Sequence, residues 1–161
     1  MFGFSALYHR VDWRSRVLTI MRRLDHSAIF VMIAGSFTPI CLLVLPGDTG
    51  IQLLFIIWII AGIGILQTFL FTETPRLIRA GIYLIAGYMV IPYLSVMFSV
   101  MSMTNFTLTT AGGTIYTVGA IGYGFKFPDI SPKYFGYHEF FHILVSIAAV
   151  LHFIVIYSIV G

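Results

Sequence analysis

The chain has 161 residues, of which 59% are hydrophobic and 9% charged, with a mean hydropathy of +0.98. Soluble domains average about 25% charged residues, and a soluble fold this small would leave large apolar patches in water. Composition therefore excludes a soluble globular domain, a disordered chain and a nucleic-acid binder, and leaves an integral membrane protein with several spans. The single Cys41 excludes an intramolecular disulfide and a Cys-rich metal site.

Residues 1–9 are mostly apolar. Nine residues rise only about 14 Å as a helix, too little for ~30 Å of hydrocarbon. The basic residues follow this stretch rather than precede it, so it is not a signal peptide. It reads as the end of a further span, and the expectation is that an N-terminal part is missing, natively or through a misplaced start. Five full spans follow, over residues 26–46, 51–71, 77–99, 104–124 and 138–160. Each has about the 20 residues that a membrane helix needs. The run Ile56-Ile57-Trp58-Ile59-Ile60 does not alternate as a barrel strand would. The expectation is an all-α, single-domain helical bundle over 1–161, with kinks at Pro39 and Pro92. Gly119, Ala120, Gly122 and Gly124 leave one side of the 104–124 helix small enough for close packing.

The charges set an orientation. Arg10, Arg14, Arg16, Arg22 and Arg23 lie before the first full span, Arg76 and Arg79 at the third connection, and Lys126 and Lys133 in the fifth. All nine basic residues thus fall on one side of an alternating topology. The positive-inside rule makes that side cytoplasmic, with the Arg-rich loop 10–24 inside and the C-terminus outside. The arginines are also placed to meet anionic head groups, although topology alone accounts for them.

Ionisable groups in membrane helices are costly and point to function. His9, Asp25, His26, His138 and His142 stand out. His138 and His142 are four apart, on one helix face, where two imidazoles can grip one ion. The topology brings His9, Asp25, His138 and His142 to one depth at the cytoplasmic side. Three neutral histidines plus a water form a catalytic zinc set with one open position, and Asp25 suits the group that orients that water and takes its proton. Ser5, one turn before His9, is placed to bond the metal water, an acyl oxygen or a ligand carboxylate, although a lone membrane serine often bonds its own backbone. His26 points about 100° from Asp25 around the helix and ranks below the others.

The stretch His138-Glu139-Phe140-Phe141-His142 also matches the H-E-x-x-H pattern of zinc proteases. Those enzymes take a third ligand downstream, and no acidic residue follows Glu139. His152 lies about 15 Å further along a continuous helix and reads as a core histidine bonded to a neighbouring helix. The third ligand is therefore expected upstream, at His9, and Glu139 reads as an interfacial or supporting group.

Several stretches together resemble the haemolysin III family: Ser5-Ala6-Leu7-Tyr8-His9, Leu24-Asp25-His26-Ser27, Gly112-Gly113-Thr114-Ile115-Tyr116, Gly136-Tyr137-His138-Glu139-Phe140-Phe141-His142 and His152-Phe153. This bacterial family is related to the progestin and adiponectin receptors and, distantly, to alkaline ceramidases. The resemblance implies a seven-transmembrane bundle with a cytoplasmic amino end, in the bacterial inner (plasma) membrane. It implies zinc held by His9, His138 and His142, with Asp25 holding the zinc through water. The chain departs from the pattern in lacking the family's first helix and most of its second.

The leading expectation is a zinc-dependent hydrolase of a lipid amide or ester, with Asp25 and Ser5 as catalytic residues and membrane lipid as substrate. A cytolytic or channel-like protein is the second expectation, and a receptor or membrane-homeostasis sensor with structural zinc the third.

Overall fold

A computed structural model describes residues 1–71, 73–129 and 136–161. Lys133, counted above among the charges of the fifth connection, lies outside the described residues. Seven α-helices are seen among those residues: α1 Phe2–Arg10, α2 Ser15–Leu43, α3 Gly47–Leu70, α4 Arg76–Tyr88, α5 Leu94–Val100, α6 Met103–Phe125 and α7 Tyr137–Val160. A single 3-10 turn, Ile91–Tyr93, joins α4 to α5.

Four helical stretches are long and apolar enough to cross a membrane: Ser15–Leu43, Gly47–Leu70, Arg76–Val100 and Tyr137–Val160. The protein is therefore a helical integral membrane protein. The expected span over 104–124 falls on the 23-residue α6, which is not among these four and carries several threonines. Thr107, Thr109, Thr110, Thr114 and Thr117 each donate to the carbonyl four residues back, at 2.8–3.0 Å. Each hydroxyl is thus satisfied inside its own helix, which lets α6 pack among apolar neighbours.

Two boundaries differ from expectation. Helix α2 begins at Ser15, eleven residues before the expected span at 26, so most of the expected Arg-rich loop 10–24 is helix. Arginine is a good helix former, and its long stem lies along apolar surface while its head reaches water. At 29 residues, α2 is about 43 Å long and outruns the hydrocarbon. The true turn is Val11–Arg14, pinned where Trp13 Nε1 donates to the Leu7 carbonyl at 2.9 Å. The third span, expected as one helix over 77–99, breaks between Tyr88 and Leu94. Pro92 sits in that break and has no N–H with which to continue the ladder. Pro39, by contrast, is carried within α2.

Helix α6 lies along α7 and α4, and α2 lies along α3, α1 and α7. The core runs through Phe30, Ala34, Leu53, Ile57, Met97 and Val155. This packing brings the N-terminal turns of α7 beside the C-terminal turn of α1.

Candidate metal centre

The last turn of α1 presents His9, and the first turns of α7 present His138 and His142. The Nε2 atoms of His138 and His9 lie 3.1 Å apart, as do those of His142 and His138. One ligand atom from each of the three histidines lies within 4.8 Å of the others.

The donor chemistry of this cluster is unusual for a cluster without an ion. A neutral imidazole has one N–H and one lone pair. His138 Nε2 faces two other Nε2 atoms, and a single hydrogen or lone pair cannot serve both well. A shared cation would accept all three lone pairs at once. Tetrahedral zinc with Zn–N of ~2.0–2.1 Å spaces its nitrogens about 3.3–3.4 Å apart, close to what is seen. The three residues therefore fit a zinc ion with one position open.

Asp25 on α2 and Ser5 on α1 are both buried. The Ser5 side chain is within hydrogen-bonding reach of the Asp25 carboxylate, and Asp25 is close enough to His9 for their charges to interact. Helix α1 thus contributes His9 to the cluster and, one turn earlier, a buried serine near Asp25.

His26 turns elsewhere. Arg79 Nη1 donates to His26 Nε2 at 3.0 Å, and the Tyr83 hydroxyl donates to the His26 carbonyl at 3.4 Å. Glu139 is exposed and accepts the Gly136 N–H at 3.0 Å, closing the first turn of α7. His152, as its depth suggests, donates from Nε2 to the Thr109 carbonyl on α6 at 3.1 Å.

Sequence reading passed over Arg76 and Tyr123. The Arg76 guanidinium lies over the rings of Tyr137 and Tyr123, at 5.1 and 5.9 Å. Its Nη1 is buried with no hydrogen-bond partner among the described residues. The Tyr123 ring is 6.0 Å from that of His138. The i, i+3 spacing of Arg76 and Arg79 was the available signal, but both had been used only to orient the chain.

An apolar cavity of about 380 Å³ lies between α2, α4, α6 and α7, and none of His9, Asp25, His138 and His142 lines it. Phe141, next to His142, lines one part of it, and Val145 and His152 line parts further along α7. Its volume falls within the range of small-molecule sites, ~300–1,000 Å³.

Long apolar helices and a three-histidine cluster define a helical membrane protein with a candidate metal centre. Comparison with known proteins narrows this class. Residues 1–153 match the family model for haemolysin-III-related proteins, and the chain belongs to that family. It is 35% identical over 122 residues to the hemolysin-3 homolog of Bacillus subtilis, covering 76% of this chain and 57% of that protein. It is 37% identical over 123 residues to hemolysin-3 of Bacillus cereus, covering 75% and 55%. The human monocyte to macrophage differentiation factor is 28% identical over 165 residues, covering 98% and 65%. The chain thus aligns with little more than half the length of its Bacillus relatives.

Proposed function

We propose that this chain is a zinc-dependent membrane hydrolase acting on an amide or ester of a lipid. The observation that carries the reading is the convergence of three imidazole Nε2 atoms beside a buried carboxylate. Zinc at such a set, when bound, lowers the pKa of water to about 7 and polarises a carbonyl.

The chain's own residues divide the remaining work. His9, His138 and His142 hold the ion and leave one position open. Hydrolysis needs a proton taken from the attacking water and returned to the leaving amine or alcohol. Asp25 is the carboxylate placed for this transfer, and Ser5 holds it in one orientation. Of the partners open to Ser5, this reading takes the carboxylate. The apolar cavity takes the acyl chain and keeps bulk water from it. The histidine end faces the cytoplasm in this reading, and substrate enters sideways from the bilayer.

Metal analysis of the purified chain, together with acyl release from a panel of lipid amides and esters, tests the reading. The parent is expected to carry about one zinc per chain. Asp25→Ala is expected to keep that zinc and to lose turnover by about 10²–10⁴-fold. A metal-free parent, or full turnover in Asp25→Ala, would overturn the assignment.

A second reading, cytolysis, is favoured by the names of the Bacillus relatives. It predicts that a His138→Ala/His142→Ala chain lyses red cells as the parent does. The hydrolase reading predicts loss of any lysis that depends on lipid cleavage. Tight zinc without turnover would instead favour a sensor.

A further inference from the structure

Helix α6 carries five glycines, and one of them is not spent on packing. A Cβ at Gly112 would press on the His152 ring, and one at Gly119 would touch Leu144 and Phe141. At Gly122 it would run into the Phe127 carbonyl, and at Gly124 it would touch Leu77 and Ala80. At Gly113 it would meet nothing within 4 Å. Glycine weakens a helix interior relative to alanine, so a glycine with open space beside it calls for another reason. Gly113 lines the apolar cavity. So does Gly87 on α4, where a Cβ would again meet nothing within 4 Å. Both helices thus omit a side chain where the cavity lies, and a side chain at either position would fill it.

The cavity has a direction. Its near end is walled by Phe141, whose ring centre lies 5.6 Å from that of His142. Its far end is closed by Phe37 of α2, Thr109 of α6 and His152 of α7, all buried. Along α6 the lining runs from Ala120 to Thr109, a length of about 16 Å at ~1.5 Å per residue. The lining threonines of α6 spend their hydroxyls on their own helix, which leaves methyl groups for the wall. An extended hydrocarbon chain advances about 1.25 Å per carbon, given C–C bonds of ~1.5 Å, so a slot of this length takes about 13 carbons.

We propose that Gly113 sets the length of acyl chain that the cavity accepts, by leaving its far end open. The proposal rests on the reading of the cavity as the acyl site of a hydrolase, and adds a measure to it. In a bilayer the alternative to the cavity is other hydrocarbon, so water exclusion does not draw the chain in. Fit decides instead. A short chain leaves a void at the Thr109 end and forfeits contacts there. A long one meets the buried floor before its carbonyl reaches the histidines. With about two or three carbons passing Phe141, the preferred acyl group has about 14–16 carbons. A side chain at Gly113 would lean toward the N-terminus of α6, into the stretch between Gly113 and Thr109. That stretch is about 6 Å long, the length of about five carbons.

Native mass spectrometry of the full chain in detergent tests the proposal, with octanoyl, decanoyl, myristoyl, palmitoyl and stearoyl ethanolamides as probes. Hydrolysis of the same panel is followed in parallel. The parent is expected to bind the myristoyl and palmitoyl forms best. Gly113→Phe should move the optimum to the decanoyl form and weaken myristoyl binding by about tenfold or more, as overpacking a closed cavity does. Val118→Phe, on the exposed face of the same helix and outside the cavity, should leave the optimum where it is. Gly87→Leu enters from the opposite wall and should also disfavour the longer chains. It carries the test if Gly113→Phe lacks the parental helical spectrum and melting transition; failure of both to fold would make these packing positions and overturn the proposal. An unchanged optimum in the folded glycine variants would overturn it, as would an equal shift in Val118→Phe. So would a parent that binds none of the probes or shows no preference among them. A shifted optimum in binding with no hydrolysis of any probe would uphold the length limit and overturn the hydrolase. Zinc content is expected to stay parental in every variant; its loss in Gly113→Phe would tie the glycine to the metal centre instead and overturn the proposal.

Discussion

Helix α7 carries histidines in two very different settings. His138 and His142 are half-buried in its first turns, and what faces them is other imidazole nitrogen, from His9 and from each other. His152, about 15 Å further along, is buried and donates to a single carbonyl, that of Thr109. Its ring rests where α6 has a glycine: a Cβ at Gly112 would lie 2.6 Å from His152 Nε2. Burial alone would have ranked His152 first as a functional residue. Partner chemistry reverses the ranking. A buried polar group with one well-made bond is a finished piece of packing, whereas three lone pairs converging on one point call for an ion.

The largest expected effect breaks the pair apart. His142→Ala removes a direct ligand, and even outer partners of a metal are worth about 10–100-fold in affinity. Zinc affinity should therefore fall by more than about 100-fold, with turnover falling alongside it. His152→Ala should instead keep its zinc and lose about 1–3 kcal/mol of stability, from the cavity and the lost hydrogen bond to the Thr109 carbonyl. Zinc analysis and thermal melting of the two variants separate these outcomes. Loss of zinc in His152→Ala would erase the distinction.

Gly112→Val probes the same contrast from the other helix. The added side chain displaces the His152 ring, and overpacking of this kind costs about 1–3 kcal/mol. Its melting temperature should fall and its zinc content should not.

Ser5→Ala is the next smaller effect. Removing the hydroxyl frees Asp25 to rotate but leaves the three histidines in place. Turnover should drop by about 10-fold or somewhat more, as for other supporting partners, at unchanged zinc content. A KM that rises while kcat holds would instead place Ser5 on the substrate.

How much of this was legible in the sequence depended on the range of the interaction. The i, i+4 pair His138 and His142 is local, and side-by-side charge counting brought His9 to the same end as α7. The meeting of α1 with α7 was therefore readable without coordinates. The Ser5–Asp25 contact was not, because it joins side chains on two helices whose rotation about their axes the pattern leaves open. The early start of α2 was missed because hydropathy scores arginine by its head and ignores its stem. At Pro92 a kink was foreseen, but the length of the break was not, since that depends on which neighbours take up the freed backbone.

Glu139 gives the smallest effect and the sharpest contrast between adjacent residues. It sits between His138 and His142 in an H-E-x-x-H stretch, where a zinc protease would use it as its base. Here it is exposed and accepts the Gly136 N–H, at the positive end of the α7 dipole. Such a cap is worth about 1 kcal/mol or less when solvent screens it. Glu139→Gln keeps an acceptor oxygen and loses the charge, so the cap should survive in weakened form, and the melting temperature should fall by a degree or two at most. Turnover should stay near the parental value, because proton transfer in the proposed site belongs to Asp25. Under the protease-like assignment the same variant would lose turnover by about 10²-fold or more with its zinc retained. One substitution, assayed for zinc and for turnover, thus decides which carboxylate near the histidines is the working one.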